Sequence, residues 1–351
     1  MARLDTVLGQ IIKDRIRSKG PMTIQEYMAT CLYDSRYGFY SQGPNIGSVD
    51  GPFDTNAKFS AFAFAITKAV KQADQLLGNT TRVVELGGGT GELGKSVMRF
   101  LENDRNYMVV DPSSGLRVKQ DQVGLQAVGD LTEITPAPTF LFGNEILDAL
   151  PVHKVMGTEQ GEILEFFVDL DEAGEFFEIP LAPSTPALLA RLQSLNVTLG
   201  RGQVGEICLE LSSLFQKIKQ VVDPGYVVFV DYGDSASKLY SFQRRNGTLR
   251  SYYRQHQIHD IFYAPGEQDL TADVDFTTVR REAQAVGLVG GTSVSQETWL
   301  KNLGIQEYID PENICARDVE EIECLTKSSQ LGSAFDVLIF KTIGLPEGPG
   351  G

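Results

Sequence analysis

Four cysteines, three histidines and one tryptophan are spread through 351 residues, and each scarcity removes a class of function. Cys31, Cys208, Cys315 and Cys324 show no C-x-x-C spacing, so neither a zinc site nor a disulfide framework is indicated. Buried free thiols in a reducing compartment are the expectation. His256-x-x-His259-Asp260 has no third ligand nearby, so no metal is expected. Positive charge is also short: 31 Lys plus Arg stand against 46 Asp plus Glu, a net charge of -15. A phosphate backbone would be repelled, so nucleic acid is not an expected partner, and a cationic substrate is favoured. No stretch approaches the roughly 18 consecutive apolar residues of a membrane span, so no membrane insertion is expected. The first residues carry Lys13, Arg15, Arg17 and Lys19 beside Asp5 and Asp14, without the apolar core of a signal peptide. They read as a first helix rather than a mitochondrial presequence, and the expected location is cytoplasmic. Internal repeats and low-complexity segments are missing, apart from a Gly/Pro tail expected to be flexible, Gly344 to Gly351.

What is present has the rhythm of an α/β protein. Leu4, Val7, Leu8, Ile11, Ile12 and Ile16 recur at helical spacing up to Gly20-Pro21, and Thr23 with Glu26 fits a capping box opening a second helix to about Leu32. An aromatic, turn-rich stretch, Tyr33 to Tyr40, leads to a Gly/Pro/Asn loop, Gly43 to Gly51, and then to a helical pattern from Ser60 to Leu77. Strands are expected at Arg82–Leu86, Tyr107–Val110, Leu125–Val128, Thr139–Phe142 and Tyr226–Val230, with helices between the early ones. That alternation implies a mostly parallel sheet with right-handed crossovers. Phe335–Phe340 is expected to close the sheet as an antiparallel strand at or near an edge. The stretch after the fourth strand contains a strand pair, Val152–Met156 with Ile163–Val168, and a helix over 184–195; Gly233 to Val279 is aromatic and irregular. Compact domains seldom carry such long insertions unless they serve a site. The expected division is a helical cap segment at 1–78, the sheet domain at 79–151, 203–232 and 281–343, a second lobe from 152–202 and 233–280, and the tail 344–351.

The chemistry centres on Glu85-Leu86-Gly87-Gly88-Gly89-Thr90-Gly91-Glu92-Leu93-Gly94, where a strand ends on an acid and a glycine-rich turn opens a helix. Such a loop at the carboxyl end of a parallel strand is where open α/β sheets bind nucleotides. Gly89-x-Gly91-x-x-Gly94, with Asp111 further on, satisfies a dinucleotide fingerprint. Glu85-x-Gly87-x-Gly89-x-Gly91 instead resembles motif I of class I S-adenosyl-L-methionine methyltransferases. A sulfonium and an amino group suit Glu85 better than a pyrophosphate would, and a loop serving only as a turn needs fewer glycines.

Other residues follow from their places. Asp111, ending the second strand, is set to accept from two ribose hydroxyls, although an Asp before Pro112 is also an ordinary turn former. Asp130 is a candidate for the adenine amino group. Asn144 and Glu145 follow the fourth strand, beside the donor methyl in such a fold. Glu145 and Asp148 would project from one helical face and grip a guanidinium if a helical turn starts there; Asp148 is equally a helix cap. His259 beside Asp260 is a candidate base, or a structural imidazole. The acids of Asp269, Asp273 and Asp275 would edge a cationic groove or lie in a solvated loop.

These stretches together resemble the MidA family of S-adenosyl-L-methionine-dependent methyltransferases. The matching segments are Gly20-Pro21-Met22-Thr23, Tyr37-Gly38-Phe39-Tyr40, Val84-Glu85-Leu86-Gly87, Asn144 to Lys154, Asp231-Tyr232-Gly233, Asp269 to Phe276 and Leu300 to Ile305. The resemblance implies a class I α/β fold (a Rossmann-like, mostly parallel sheet) with a second lobe, and S-adenosyl-L-methionine bound by Glu85, Gly87, Gly89, Gly91, Asp111, Asp130 and Asn144. Glu145, Asp148 and His259 would then be catalytic, with Tyr40, Thr55, Asp269, Asp273 and Asp275 on the substrate side. The family's mitochondrial relatives are arginine methyltransferases that assist respiratory complex I assembly, so a protein arginine acceptor is expected, in the mitochondrial matrix if the source is eukaryotic. A small-molecule N- or O-methyltransferase and an assembly factor with little turnover are the alternatives. The sequence departs from the family at Gly88 and Thr90 in the loop, at Gly51 to Thr55, and at Asn56-Ala57-Lys58.

Overall fold

The computed structural model describes residues 3–44, 55–102, 105–327 and 331–351. Most of the Gly43 to Gly51 loop, from Asn45 on, and the departure at Pro52, Phe53 and Asp54 lie outside them. The chain forms two compact units, one from Met1–Gln42, Leu147–Ser212 and Gly233–Thr278, the other from Gly43–Ile146, Ser213–Tyr232 and Val279–Gly351.

The second unit is built on seven strands: Arg82–Leu86 (β1), Tyr107–Val110 (β2), Gln126–Val128 (β3), Ala137–Asn144 (β4), Val222–Asp231 (β5), Leu288–Ser295 (β6) and Asp336–Thr342 (β7). Their order across the sheet is β6-β7-β5-β4-β1-β2-β3. Strands β1 to β5 pair in parallel, with Glu85 level with Val109 and Phe142, whereas β7 runs antiparallel to both β5 and β6. This is the class I methyltransferase fold. The order reverses between β1 and β4, which opens a crevice at the carboxyl ends of those two strands.

Continuous apolar runs explain the strands, because a parallel sheet covered on both faces leaves no polar side. Tyr226 to Val230 are all 1% exposed or less, and each such side chain contributes about 1.5–3 kcal/mol by burial. One face packs on the helices Ser60–Leu77 and Glu92–Phe100 through Phe62, Ile66, Val97, Phe140 and Phe142. On the helix Leu211–Val221, Phe215 meets Phe229 and Phe340 edge-on at 5.9 and 5.7 Å. Ser60–Leu77, assigned from sequence to the lead, therefore belongs to this core. Leu288–Ser295 was not expected as a strand: Gly290 and Gly291 interrupt its alternation, and the register shifts between Gly290 and Ser293. It lies outside β7 and leaves the closing strand one place in from the edge. The tail expected to be flexible makes contacts with this unit: Trp299 Nε1 donates to the Pro349 carbonyl at 3.0 Å and Gly350 N to Gln72 Oε1 at 3.0 Å.

The first unit holds the helices Val7–Lys19 and Ile24–Tyr33, the latter opened by the Thr23/Glu26 capping box. Leu8, Ile12 and Ile16 are buried, but Leu4, Val7 and Ile11 are 38, 60 and 45% exposed, so half of the apolar stripe faces outward. The expected strand pair is present as His153–Gly157 against Ile163–Leu170, and Val204–Ile207 joins its other side. Residues 203–212 thus fall here and not with the seven-stranded sheet, because the alternating Val204–Ile207 strand buries Ile207 against Leu188 and Leu192 of the helix Ala187–Ser194. The irregular stretch after Gly233 makes a small sheet, Arg250–Tyr253 between His256–Ile258 and Asp269–Thr271. Among the described residues no helix is long and apolar enough to cross a membrane.

Candidate functional site

The glycine turn follows β1 directly. Gly87, Gly89 and Gly91 have φ of 66°, 51° and 87°, in the left-handed region that a side chain disfavours. At Gly87 a Cβ would also come within 2.6 Å of Ile146 Cγ2, from the segment after β4, so the two sides of the crevice approach here. Gly91 caps the helix Glu92–Phe100. Glu85 is 2% exposed and accepts from the Tyr107 hydroxyl at 2.8 Å. Burial pushes its carboxyl up to about 7, against the Tyr107 hydrogen bond.

Asp111 follows β2 and is 3% exposed. Its Oδ1 accepts from Ser113 N at 2.9 Å and its Oδ2 from Gln120 Nε2 at 2.9 Å. Burial raises it to about 6, with those hydrogen bonds and the Arg117 guanidinium opposing. Asp130 is engaged elsewhere: it caps the turn Leu131–Glu133 and pairs with Lys217 at 2.5 Å, which holds it down at about 2. A carboxylate already neutralised in this way has less to offer an adenine amino group.

The segment after β4 carries a polar network. Glu145 takes φ 53°, its N–H donating to the Val230 carbonyl at 2.8 Å, and Ile146 N donates to buried Asp231 Oδ2 at 3.2 Å. A non-glycine residue held in that conformation is a strained position that its surroundings must enforce. Glu145 Oε1 accepts from Thr55 Oγ1 at 2.7 Å, Asn144 Nδ2 at 2.8 Å and Asn56 N at 3.2 Å. Behind it, fully buried Asn56 donates to Asn144 Oδ1 at 3.1 Å and exchanges two amide hydrogen bonds with fully buried Gln296, at 2.9 and 3.1 Å. Of the expected residues, the structure thus brings together Thr55, Asn144 and Glu145.

Others are placed differently. The helical turn that would align Glu145 with Asp148 does not form, because Glu145 leaves the strand through the left-handed region and a non-helical turn follows. Asp148 belongs to the other unit, where it is 5% exposed and its carbonyl accepts from Ala272 N at 3.0 Å. His259 is exposed after the strand His256–Ile258. The acid beside it does not orient its ring: Asp260 receives Arg3 Nε at 2.7 Å and the Phe262 N–H at 3.0 Å. Tyr40 donates to Asp269 Oδ1 at 2.8 Å. Asp273 is paired with Arg244 and, at 2.7 Å, with Arg250. Asp275 accepts from Thr277 N and Thr278 N at 2.9 and 3.1 Å and from Thr278 Oγ1 at 2.7 Å, and burial pushes it up. Asp273 is thus ion-paired within the unit, while Asp269 and Asp275 accept hydrogen bonds from hydroxyl and backbone donors.

Sequence reasoning missed Asn56, Gln296, Tyr107 and Gln120. Asn56 registered only as a departure from a family pattern, and a single amide among polar neighbours carries no spacing signal.

Over residues 62–291 the chain matches a family described as S-adenosyl-L-methionine-dependent methyltransferases. It is 29% identical to the mitochondrial protein arginine methyltransferase NDUFAF7 of Rattus norvegicus, covering 83% of this chain and 72% of that one, and 29% identical to that of Homo sapiens with the same coverage. A COG1565 superfamily member from Burkholderia thailandensis, solved bound to S-adenosyl-homocysteine, superposes with a TM-score of 0.86 at 25% identity, covering 100% of this chain and 97% of that one.

Proposed function

Because the chain belongs to the S-adenosyl-L-methionine-dependent methyltransferases, we propose that it methylates a guanidinium nitrogen of an arginine side chain on a protein partner. The donor, when bound, supplies an electrophilic methyl on a positively charged sulfur. The residues present fit it. Gly87, Gly89 and Gly91 keep the crevice clear of side chains, Asp111 offers buried carboxylate oxygens suited to ribose hydroxyls, and Glu85 and Asn144 stand at the ends of β1 and β4. Asp130, satisfied by Lys217, is left out of this set.

The observation that carries the acceptor side is the grip on Glu145. Three donors on one oxygen and a backbone held at φ 53° leave its carboxylate little freedom to turn. Arginine stays protonated until it reacts. A fixed carboxylate orients a guanidinium by charge-assisted hydrogen bonds, keeps the attacking nitrogen at a near-attack distance of about 3–3.5 Å, and takes the proton lost on attack. His259, exposed and without an orienting acid, has no part in this scheme. The net charge of -15 suits a cationic partner, and the arginine methyltransferase names of the rat and human relatives support the acceptor.

Mass spectrometry of the source proteome with and without the gene tests the acceptor: an arginine mark heavier by one methylene, lost with the gene, is expected. A mark lost from a metabolite instead would replace the protein acceptor by a small one. With purified protein, Glu145→Gln is expected to lower turnover about a hundredfold while donor affinity stays within about threefold. An equal loss of donor affinity would make Glu145 a donor-site residue.

A further inference from the structure

Gln120, on the helix Ser114–Gln122, is fully buried two residues before the helix ends. Its Nε2 reaches two acceptors, the Gly89 carbonyl at 2.9 Å and Asp111 Oδ2 at 2.9 Å. Those acceptors follow different strands, the glycine turn after β1 and the acid after β2, so one NH2 group links the two. Its Oε1 is buried and meets no hydrogen-bond donor among the described residues. That asymmetry fixes the amide's orientation. Turned over, the oxygen would face a carbonyl and a carboxylate, and the nitrogen would gain no acceptor in exchange. An amide retained with one end unanswered is held for what its other end does.

We propose that Gln120 is a positioning residue of the donor site: it sets the spacing between the glycine turn and the ribose-binding acid, and keeps Asp111 an acceptor. This rests on the donor-site reading above. The charged and titratable groups around the link are Asp111 itself; Glu85, whose charge interacts with that of Asp111; Tyr107, which donates to Glu85; and Arg117, which donates to the Asp111 carbonyl at 2.6 Å. The Ser113 N–H holds the other Asp111 oxygen. Gln120 is therefore the side-chain donor on the oxygen that the backbone does not hold.

The test uses Gln120→Glu, which preserves shape and replaces the donor by an acid. At about pH 8 the new carboxylate faces Asp111 and the Gly89 carbonyl, and affinity for S-adenosyl-homocysteine, measured by calorimetry, is expected to fall roughly tenfold or more relative to wild type. At about pH 5.5 the two neighbouring acids share a proton, which removes their repulsion and restores the contact with Asp111 but leaves the Gly89 carbonyl without a donor, so affinity is expected to recover part of that loss. Gln120→Met, with neither donor nor charge, is expected to lose affinity at both pH values without recovery. In both variants KM for the donor is expected to rise while kcat at saturating donor stays within about twofold. Thermal unfolding establishes that each variant is folded. Wild-type affinity in both variants, or a loss in Gln120→Glu that is the same at both pH values, overturns the inference and leaves the donor site standing. Wild-type protein that does not bind S-adenosyl-homocysteine overturns the donor-site reading and the inference together.

Discussion

Replacing Glu85 by Gln should make the protein more stable at alkaline pH, and the structure sets the size of the gain. Glu85 is 2% exposed, its hydrogen bond from Tyr107 comes from a neutral hydroxyl, and burial lifts it from 4.5 to about 7. At about 1.4 kcal/mol per tenfold change in proton affinity, the ionised side chain costs the folded state on the order of 3 kcal/mol. The sign follows from which state binds the proton more tightly. Here it is the folded one, so the stability contributed by this group is full below about 4.5 and is lost as the pH rises through about 7. A glutamine never ionises and still presents an oxygen to Tyr107. The variant should therefore match wild type within about 1 kcal/mol near pH 4.5 and exceed it by roughly 2–3 kcal/mol near pH 8. Urea unfolding without ligand, at several pH values between those limits, measures the difference directly, because groups common to both proteins cancel. A difference that stays constant across that range refutes the reasoning. The same variant should bind the methyl donor less well, since the charge that costs stability is the charge that faces a cation.

Two further substitutions probe the crevice. Gly89→Val puts a β-branched residue at φ 51°, a conformation such residues all but refuse, and calorimetry should find donor binding reduced at least a hundredfold; unaltered affinity would remove the loop from the site. Asn56→Ala removes the donor on the fully buried Gln296 Oε1 and on Asn144 Oδ1, so chemical denaturation should show a loss of about 2–3 kcal/mol. A loss below about 0.5 kcal/mol would mean that the network does not hold Glu145 in place.

The parallel half of the sheet can be read from sequence because its signals are local. Apolar runs such as Val83-Val84 and Val227 to Val230 have no polar face to hide, and Gly87, Gly89 and Gly91 mark the left-handed turn after β1. The strand Leu288–Ser295 escaped because Gly290 and Gly291 spoil the alternation, and only pairing with Asp336–Thr342 makes it a strand. At the site, Glu145 and Asn144 could be placed by their position after a strand, but their fixing partners Thr55 and Asn56 lie 88 to 90 residues away, and Gln296, which holds Asn56, lies 240 residues from it. Spacing rules do not see such partners. The acidic run from Asp269 to Asp275 reads as a groove edge or a solvated loop for the same reason: Arg244 and Arg250, which pair with Asp273, give no hint in sequence that they will meet it.

The strand nearest the carboxyl end, Asp336–Thr342, is inserted between two made earlier, Val222–Asp231 and Leu288–Ser295. During synthesis the apolar flank of Val222–Asp231 therefore waits, unsealed, while about a hundred further residues leave the ribosome, an interval in which a bare strand invites wrong pairing. A nonsense or frameshift mutation just before Asp336, far along the gene from the glycine turn and Glu145, would leave every named site residue in the chain and still forfeit the molecule. The heritable vulnerability of this enzyme thus lies in its final stretch as much as in its catalytic centre.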